Sequence, residues 1–302
     1  MLTLPLYDDR RPTFRFAPSP NGELHLGHAL SAIVGFAAAQ KVGGRFLVRI
    51  EDIDIGRTRP EFVAGILEDL AWLGLTWEEP VVRQSDRFPL YRAAVERLEA
   101  LGVVYPCFAT RAEIAAASER SERLERDPDG APIYPGIYRD APHDVVSARL
   151  ASGEPFALRL DMRRALEIAG RKFGGEPLSF REFDEEGHPT VVVCRPERWG
   201  DAVVARKDVP TSYHLAVVVD DAAQEVTHVT RGRDLFAATD LQRLLQVLLD
   251  LPAPVYHHHR LLTDETGRKL SKSARDVSLR MLRNQGVIPD EILRRIFLTT
   301  DR

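Results

Sequence analysis

The chain has 302 residues, of which 44% are hydrophobic and 28% charged, and its formal net charge is −4. This size and composition are typical of a globular protein with a large core. No run of about 18 apolar residues occurs, which excludes a membrane span, and the charge argues against bulk, nonspecific nucleic-acid binding. The N-terminus lacks an export signal and two distant cysteines give no disulfide framework, so we expect a cytoplasmic location.

Two histidines follow the first predicted strand. The strand covers Thr13–Phe16, and a turn rich in proline and glycine leads from it to His25 and His28, where a helical pattern begins. A helix N-terminus offers unpaired N–H groups and the positive end of the helix dipole, so this stretch predicts a phosphate site. Gly27 would let a ligand lie close to the helix backbone. The two imidazoles, three residues apart, share one face of the helix.

The following segments alternate between predicted strands and helices. Residues 45–50 form a buried strand that ends in an acidic cluster at residues 51–54. A helix begins at Pro60 and another covers about residues 88–101. This alternation predicts a parallel α/β sheet, in which ligands bind at the carboxyl ends of the strands.

The middle of the chain predicts an insertion in that sheet. Residues 103–105 resemble a strand, and residues 110–113 have the pattern of a capping box that opens a helix. The pattern becomes charged and rich in proline and glycine at residues 120–130, which indicates a flexible surface segment. Short strands and turns follow, including residues 156–160 and 176–183.

Apolar strand character returns in the second half of the chain. Residues 201–206, 215–220 and 226–229 are predicted strands, residues 231–234 are the exit turn of the last one, and residues 235–249 form an amphipathic helix. The last thirty residues predict one or two short helices.

Three consecutive histidines, His257, His258 and His259, suggest a metal site at first sight. On a strand, however, alternate side chains face opposite sides of the sheet, so at most two of the three could converge. Packing near the nucleotide is the simpler interpretation. Asp220 and Asp221 could likewise hold Mg²⁺, but a turn after a buried strand explains them equally well.

A second informative stretch is a polar loop that contains Lys269, Ser271, Lys272 and Ser273. Two flexible cations with hydroxyl groups between them can stabilise a triphosphate as charge develops during displacement at the α-phosphorus. The chain has only five lysines, so two of them in one short loop indicate a functional site more than general solvation.

Together, the H-x-G-H stretch and the K-L-S-K-S loop resemble the two signature motifs of class I aminoacyl-tRNA synthetases. Further segments resemble the glutamyl branch, namely residues 15–25, 47–52, 213–221 and 229–232. The resemblance covers residues 13 to 275 and implies a Rossmann-like parallel sheet with an inserted α/β connective region and a short helical C-terminal piece. It implies four units: residues 1–105 and 196–250 as the two halves of the catalytic domain, 106–195 as the connective region, and 251–302 as the lysine loop and C-terminal segment.

The resemblance also implies roles for individual residues. The catalytic residues would be His25, His28, Lys269 and Lys272, and ATP would be bound by His25, Gly27, His28 and Lys272, with Mg²⁺ accompanying the nucleotide. The positions that match the glutamate contacts of the family are Arg15, Ala17, Ser19, Glu51, Tyr213 and Arg231. This assignment fits the residue chemistry, because arginine can pair with a carboxylate in bidentate fashion and Glu51 can receive an ammonium group.

Only residues 274–302 follow the lysine loop, too few for the anticodon-binding domain of a glutamyl-tRNA synthetase. In this respect the chain resembles the truncated paralogues, the glutamyl-queuosine tRNA(Asp) synthetases. The resemblance implies that glutamate is activated with ATP and transferred to queuosine in the anticodon of tRNA(Asp). A monomer is the default expectation. Alternatives are a truncated glutamyl-tRNA synthetase that charges tRNA(Glu), a non-catalytic paralogue that binds nucleotide or tRNA, and a small-molecule adenylyltransferase.

One departure from the family concerns zinc. The family often has a zinc site built from a C-x-C pair, a tyrosine and a further cysteine. Here Cys107 and Tyr134 match two of the ligands, but Ala109 and Tyr138 stand at the other two positions. One thiolate and one phenol do not make a tetrahedral zinc site, so we predict that the family's zinc site is degenerate and that no metal is bound.

Overall fold

The protein is represented by a computed structural model that describes residues 11–119, 125–263 and 277–297. Two of the predicted site residues, Lys269 and Lys272, and part of the 120–130 segment lie outside the described residues. The strands are β1 (Thr13–Phe16), β2 (Arg45–Ile50), β3 (Glu78–Arg83), β4 (Val104–Cys107), β5 (Ala157–Leu160), β6 (Ser179–Phe183), β7 (Pro189–Val193), β8 (Val203–Ala205), β9 (His228–Gly232) and β10 (Val255–His259). The helices are α1 (Leu26–Lys41), α2 (Pro60–Trp72), α3 (Phe88–Ala100), α4 (Arg111–Glu119), α5 (His143–Ala151), α6 (Met162–Lys172), α7 (Tyr213–Ala223), α8 (Ala238–Leu248), α9 (Leu279–Asn284) and α10 (Pro289–Phe297).

Seven strands form the central sheet, in the order β3-β2-β1-β9-β10-β6-β7. Neighbouring strands run parallel except β7, which pairs antiparallel with β6. A second, antiparallel sheet has the order β4-β5-β8. The carboxyl ends of β1, β2, β9 and β10 lie next to one another in the central sheet, so the loops that follow these four strands begin at the same edge. This arrangement confirms the predicted α/β architecture.

Two large apolar clusters hold these layers together. One joins α1, α2, α9 and α10 with β1 and β2, and its fully buried side chains include Phe14, Ile50 and Leu70. The other joins α3, α6, α7 and α8 with the small sheet. Among the described helices, none has the length and apolarity of a membrane span.

Several sequence predictions are confirmed at the level of single elements. β1, α1 and β2 lie where they were expected, the three histidines lie on β10, and α9 and α10 are two short helices near the end of the described chain. The capping box of α4 is also present, because the Thr110 hydroxyl accepts from the Glu113 N–H at 3.2 Å and the Glu113 carboxylate accepts from the Thr110 N–H at 2.7 Å.

The prediction of a strand at residues 215–220 is wrong, since these residues lie in α7. The helix is capped by Ser212, whose hydroxyl accepts from the Leu215 N–H. All residues from Leu215 to Asp221 are buried, because α7 packs against both α3 and α8. A helix buried on every side has no polar stripe, so its apolar run looks like a buried strand in the sequence.

The predicted boundaries of the inserted region do not coincide with the division of the strands between the two sheets. β6 and β7 fall within predicted residues 106–195, yet they extend the central sheet, whereas β8 falls outside that range and belongs to the small sheet. The region also contains the helices α5 and α6, which the sequence analysis read as strands and turns. Arg231 lies inside β9 rather than in an exit turn. The division into four units stays a prediction.

Candidate active site

A cleft of about 430 Å³ opens at the carboxyl edge of the central sheet. It is lined by all nine predicted site residues that the structure describes: Arg15, Ala17, Ser19, His25, Gly27, His28, Glu51, Tyr213 and Arg231. These residues come from β1 and the loop after it, the start of α1, the end of β2, the start of α7, and β9. The fold therefore brings together the residues that the resemblance had grouped, while their individual roles stay predictions.

The two histidines form the N-terminal cap of α1. The Nδ1 atom of His25 accepts a hydrogen bond from the Gly27 N–H at 3.0 Å, and the Nδ1 atom of His28 accepts from the His25 N–H at 3.2 Å. Because each Nδ1 accepts, each neutral imidazole carries its proton on Nε2. The ring centroids are 3.9 Å apart. The pair thus caps the end of α1 that lies in the cleft.

Gly27 has a role that the sequence analysis missed. A Cβ atom at this position would lie 2.9 Å from His25 Cε1 and 3.1 Å from His25 Nδ1. The glycine therefore leaves room for the capping imidazole itself, in addition to any ligand. Sequence spacing alone could not reveal this contact, because it depends on the rotamer of His25.

A buried charge network lies under the other side of the cleft. The Arg15 Nε–H donates to Asp221 Oδ1 at 3.1 Å, and Arg49 donates to the same oxygen at 2.8 Å. Arg49 also approaches Glu51 Oε1 at 3.4 Å and Asp220 Oδ2 at 3.8 Å. Arg49 is fully buried. The network fixes Arg15 and Glu51 at the cleft through groups that do not line it themselves.

The network moves the pKa values of its acids in opposite directions. Burial raises the pKa of Glu51 above its usual range, and this effect outweighs the charges of Arg49 and Arg15. Burial also acts to raise the pKa of Asp221, but the charges and hydrogen bonds of Arg15 and Arg49 outweigh it, so that pKa is lowered. Asp221 is therefore the anion that balances the arginines, and Glu51 is the acid more sensitive to what binds in the cleft.

Asp220 and Asp221 do not follow a strand, as the sequence analysis had supposed, but lie in α7. The carboxylate of Asp220 accepts from Gln84 Nε2 at 2.8 Å, from Arg87 Nε at 2.6 Å and from the Tyr91 hydroxyl at 2.8 Å. Both carboxylates therefore accept hydrogen bonds from protein side chains, and these contacts account for the two buried aspartates without a magnesium ion.

Arg231 is buried beneath the cleft, and its partners are neutral. It donates from Nε to His258 Nε2 at 3.2 Å, from one terminal nitrogen to Gln242 Oε1 at 2.8 Å, and from the other to Thr239 Oγ1 at 2.6 Å. Burial lowers the pKa of His258 to about 4, so this imidazole is uncharged near neutral pH. No carboxylate among the described residues hydrogen-bonds Arg231.

Among the described residues, these three contacts use three of the five N–H hydrogens of Arg231, and two remain. Burying a cation without an anionic partner is costly, so such a group in a cleft indicates an anionic ligand. The sequence analysis assigned no role to Gln242 or Thr239. The structure shows that both orient the arginine.

The residues at the positions of the family's zinc site form a small apolar cluster of Cys107, Ala109 and Tyr134, with Tyr138 packed against it. The Cys107 thiol donates to the Tyr134 hydroxyl at 3.4 Å, and that hydroxyl also accepts from the Tyr138 N–H at 2.8 Å. The two residues that match zinc ligands thus hydrogen-bond to each other. The absence of zinc stays a prediction.

A larger cavity of about 910 Å³ adjoins the cleft and shares Ser19, Asn21, Glu51 and Tyr213 with it. Its wall includes Trp199 and His214, which lie in T-shaped ring contact. Burial lowers the pKa of His214 to about 4. The two spaces together could hold a small substrate beside a larger one.

Comparison with known proteins places this geometry in a family. Residues 13–300 match the family model of the class I tRNA synthetases (E and Q), catalytic domain. The chain is 48% identical over 291 residues to the Glutamyl-Q tRNA(Asp) synthetase of Rhodobacter capsulatus, and the match covers 94% of this chain and 99% of that protein. It is 39% identical to the Glutamyl-Q tRNA(Asp) synthetase of Symbiobacterium thermophilum, over 92% of this chain and 83% of that one.

A solved structure shows the same fold. The chain is similar to a glutamate tRNA ligase from Elizabethkingia meningosepticum, solved in complex with its amino acid, with 26% identity and a TM-score of 0.70. The similarity covers 87% of this chain and 52% of that ligase, so the chain spans about half the length of the ligase.

The fold and its cleft thus define a class I tRNA synthetase catalytic core, and the activity class is that of an aminoacyl-tRNA synthetase-like ligase that uses ATP. Within that class, the chain belongs to the glutamyl-Q tRNA(Asp) synthetase family.

Proposed function

We propose that this chain activates L-glutamate with ATP and transfers the glutamyl group to queuosine in the anticodon of tRNA(Asp). The observation that carries the proposal is Arg231, a buried cation in the cleft with two N–H hydrogens left and no carboxylate partner among the described residues. The side-chain carboxylate of glutamate supplies the missing anion, and a bidentate pair is strong in a desolvated site.

The other cleft residues complete the glutamate site. Arg15 contributes positive charge, although Asp221 already occupies two of its nitrogens. Glu51 receives the α-ammonium group, and its raised pKa returns towards the usual range when that cation binds. Tyr213 and Ser19 donate hydrogen bonds, and Ala17 lets the substrate approach the backbone after β1. Together these groups distinguish an amino acid with two carboxylates from other amino acids.

ATP binds with its phosphates at the start of α1, where His25 and His28 cap the helix end that lies in the cleft. The α-carboxylate oxygen of glutamate attacks the α-phosphorus, a new P–O bond forms, and the bond to the β-phosphate oxygen breaks with release of pyrophosphate. Lys269 and Lys272 stabilise the charge on pyrophosphate, and Mg²⁺ accompanies the nucleotide. Catalysis requires positioning and electrostatic stabilisation rather than a protein nucleophile.

In the second step a ring hydroxyl of queuosine attacks the carbonyl carbon of the glutamyl-adenylate and AMP leaves. Two observations support this acceptor: the relatives named Glutamyl-Q tRNA(Asp) synthetase, which the chain matches over most of their length, and the larger cavity that adjoins the cleft at Ser19, Glu51 and Tyr213. The cavity has room for a modified nucleoside next to the adenylate.

The first experiment measures glutamate-dependent ATP–pyrophosphate exchange without tRNA. Exchange is expected with glutamate and not with glutamine or aspartate, and no exchange with glutamate would overturn the proposed activation step. Lys272→Ala should abolish exchange without changing the circular dichroism spectrum. The matched control, Lys41→Ala on the exposed end of α1, should leave exchange unchanged.

The second experiment offers labelled glutamate and ATP with queuosine-containing tRNA(Asp), queuosine-lacking tRNA(Asp) and tRNA(Glu). Label is expected only on the first of these. Label on tRNA(Glu) alone would instead identify a truncated glutamyl-tRNA synthetase, and exchange without transfer to any tRNA would point to a small-molecule adenylyltransferase.

A further inference from the structure

The three histidines on β10 are divided by the pleat of the sheet. His257 donates from Nδ1 to the Phe183 carbonyl oxygen at 2.8 Å, and His259 Nε2 lies 2.8 Å from Ser31 Oγ on α1. His258 projects to the other face, towards Arg231, its registered neighbour on β9. Sequence alternation anticipated this division, but not what His258 contacts.

His258 joins two charged groups on neighbouring strands. Its Nδ1 atom is 2.8 Å from Glu182 Oε1 on β6, and its Nε2 atom is 3.2 Å from Arg231 Nε. The order β9-β10-β6 places the three side chains side by side. Thr239 Oγ1 closes the arrangement, at 3.1 Å from His258 Nε2 and 2.6 Å from Arg231.

The chemistry of the three groups allows one tautomer. An arginine Nε–H can only donate, so His258 Nε2 accepts, and Nδ1 must then carry the proton and donate it to the Glu182 carboxylate, which can only accept. In agreement, the pKa of Glu182 is lowered: burial acts to raise it, but the hydrogen bond from His258 prevails.

We infer that His258 is a positioning residue that aligns Arg231 for the substrate carboxylate, with Glu182 as a remote counter-charge. A carboxylate bonded directly to Arg231 would occupy the donors that a ligand needs. With a neutral imidazole inserted between them, Glu182 offsets part of the cost of the buried cation while two N–H hydrogens stay available. Gln242 and Thr239 hold the terminal nitrogens and His258 holds Nε, so the plane of the guanidinium is set from three sides. This inference rests on the proposed function.

The test compares His258→Phe and Glu182→Gln with the wild-type protein in the exchange assay. Phenylalanine suits the site sterically, because the His258 ring lies among Phe180, Phe236 and Tyr256. Because His258→Phe removes one hydrogen bond to a charged group, we expect the KM for glutamate to rise about tenfold or more. The kcat should change less than about threefold, because the lost contact binds the ground state and the transition state equally. The KM for ATP should not change. Glu182→Gln keeps the shape and removes the charge, and it should raise the KM for glutamate by a smaller factor.

The matched control is His257→Phe, on the same strand but the opposite face, which should leave the KM for glutamate unchanged. Unchanged glutamate KM in both test variants, with an active wild type, would overturn the inference and leave the proposed function intact. An inactive wild type would instead overturn the proposed function. In that case nitrogen-15 NMR still decides the arrangement: a protonated Nδ1 and an unprotonated Nε2 on His258 are expected, and the reverse tautomer would refute it.

Discussion

Replacing Arg231 with methionine should separate stability from function. Methionine keeps much of the length and apolar volume but removes the charge, so a ligand carboxylate loses two charge-assisted hydrogen bonds. At about 1.5–3 kcal/mol each, this loss amounts to roughly 3–6 kcal/mol. Since 1.4 kcal/mol corresponds to a factor of ten, kcat/KM for glutamate should fall by about 10²- to 10⁴-fold.

The same substitution should cost little stability. It removes the arginine donor to Gln242 and Thr239, but it also removes a buried cation that has no carboxylate partner among the described residues. Exchange rates over a range of glutamate concentrations give kcat/KM, and urea unfolding gives the free energy of unfolding. Arg164→Met, at an exposed arginine that donates to Gly102 O, is the matched control and should leave exchange unchanged. A change below about threefold in kcat/KM for Arg231→Met would refute the assignment of Arg231 to the substrate carboxylate.

Three further predictions concern the start of α1, the buried charges and the pH dependence of stability. Gly27→Ala should raise the KM for ATP, because the added methyl group meets the His25 ring at 2.9 Å; Gly65→Ala, where a Cβ meets nothing within 4 Å, should leave it unchanged, and equal values in the two variants would contradict this role. Asp221→Asn removes the anion shared by two buried arginines and should lower the free energy of unfolding by about 3–5 kcal/mol, measured in urea, whereas a loss below about 1 kcal/mol would show that the network is not needed. His214 has its pKa lowered from 6.5 to about 4 by burial, so the unfolded chain takes up a proton that the native chain does not, and stability present above pH 6.5 is lost as pH falls towards 4. In that window His214→Phe should lessen the slope of unfolding free energy against pH by about 1.4 kcal/mol per unit, and an identical slope would disprove the buried neutral imidazole.

The comparison of sequence and structure shows which features were predictable. The strand-to-helix turn at His25, the capping box at Thr110 and the strand at His257 were predictable, because each depends on residues a few positions apart. The helix α7 was mistaken for a strand, since burial on all sides removed the periodicity that distinguishes the two. The same tertiary burial placed Asp220 and Asp221 in a charge network instead of a surface turn.

By itself, the sequence determined the family, the alternation of strands and helices, and the set of residues at the cleft. The alternation follows from local periodicity, whereas the family and the cleft residues were implied by the resemblance of short motifs to those of the class I aminoacyl-tRNA synthetases. The tertiary structure alone decided how the charges are paired: Arg15 meets Asp221 across 206 positions, and His258 meets Glu182 across 76. Such contacts depend on strand order and register and, for Asp221, on the place of α7, so only the folded structure shows that Arg15 is paired with Asp221 while Arg231 has no carboxylate partner among the described residues.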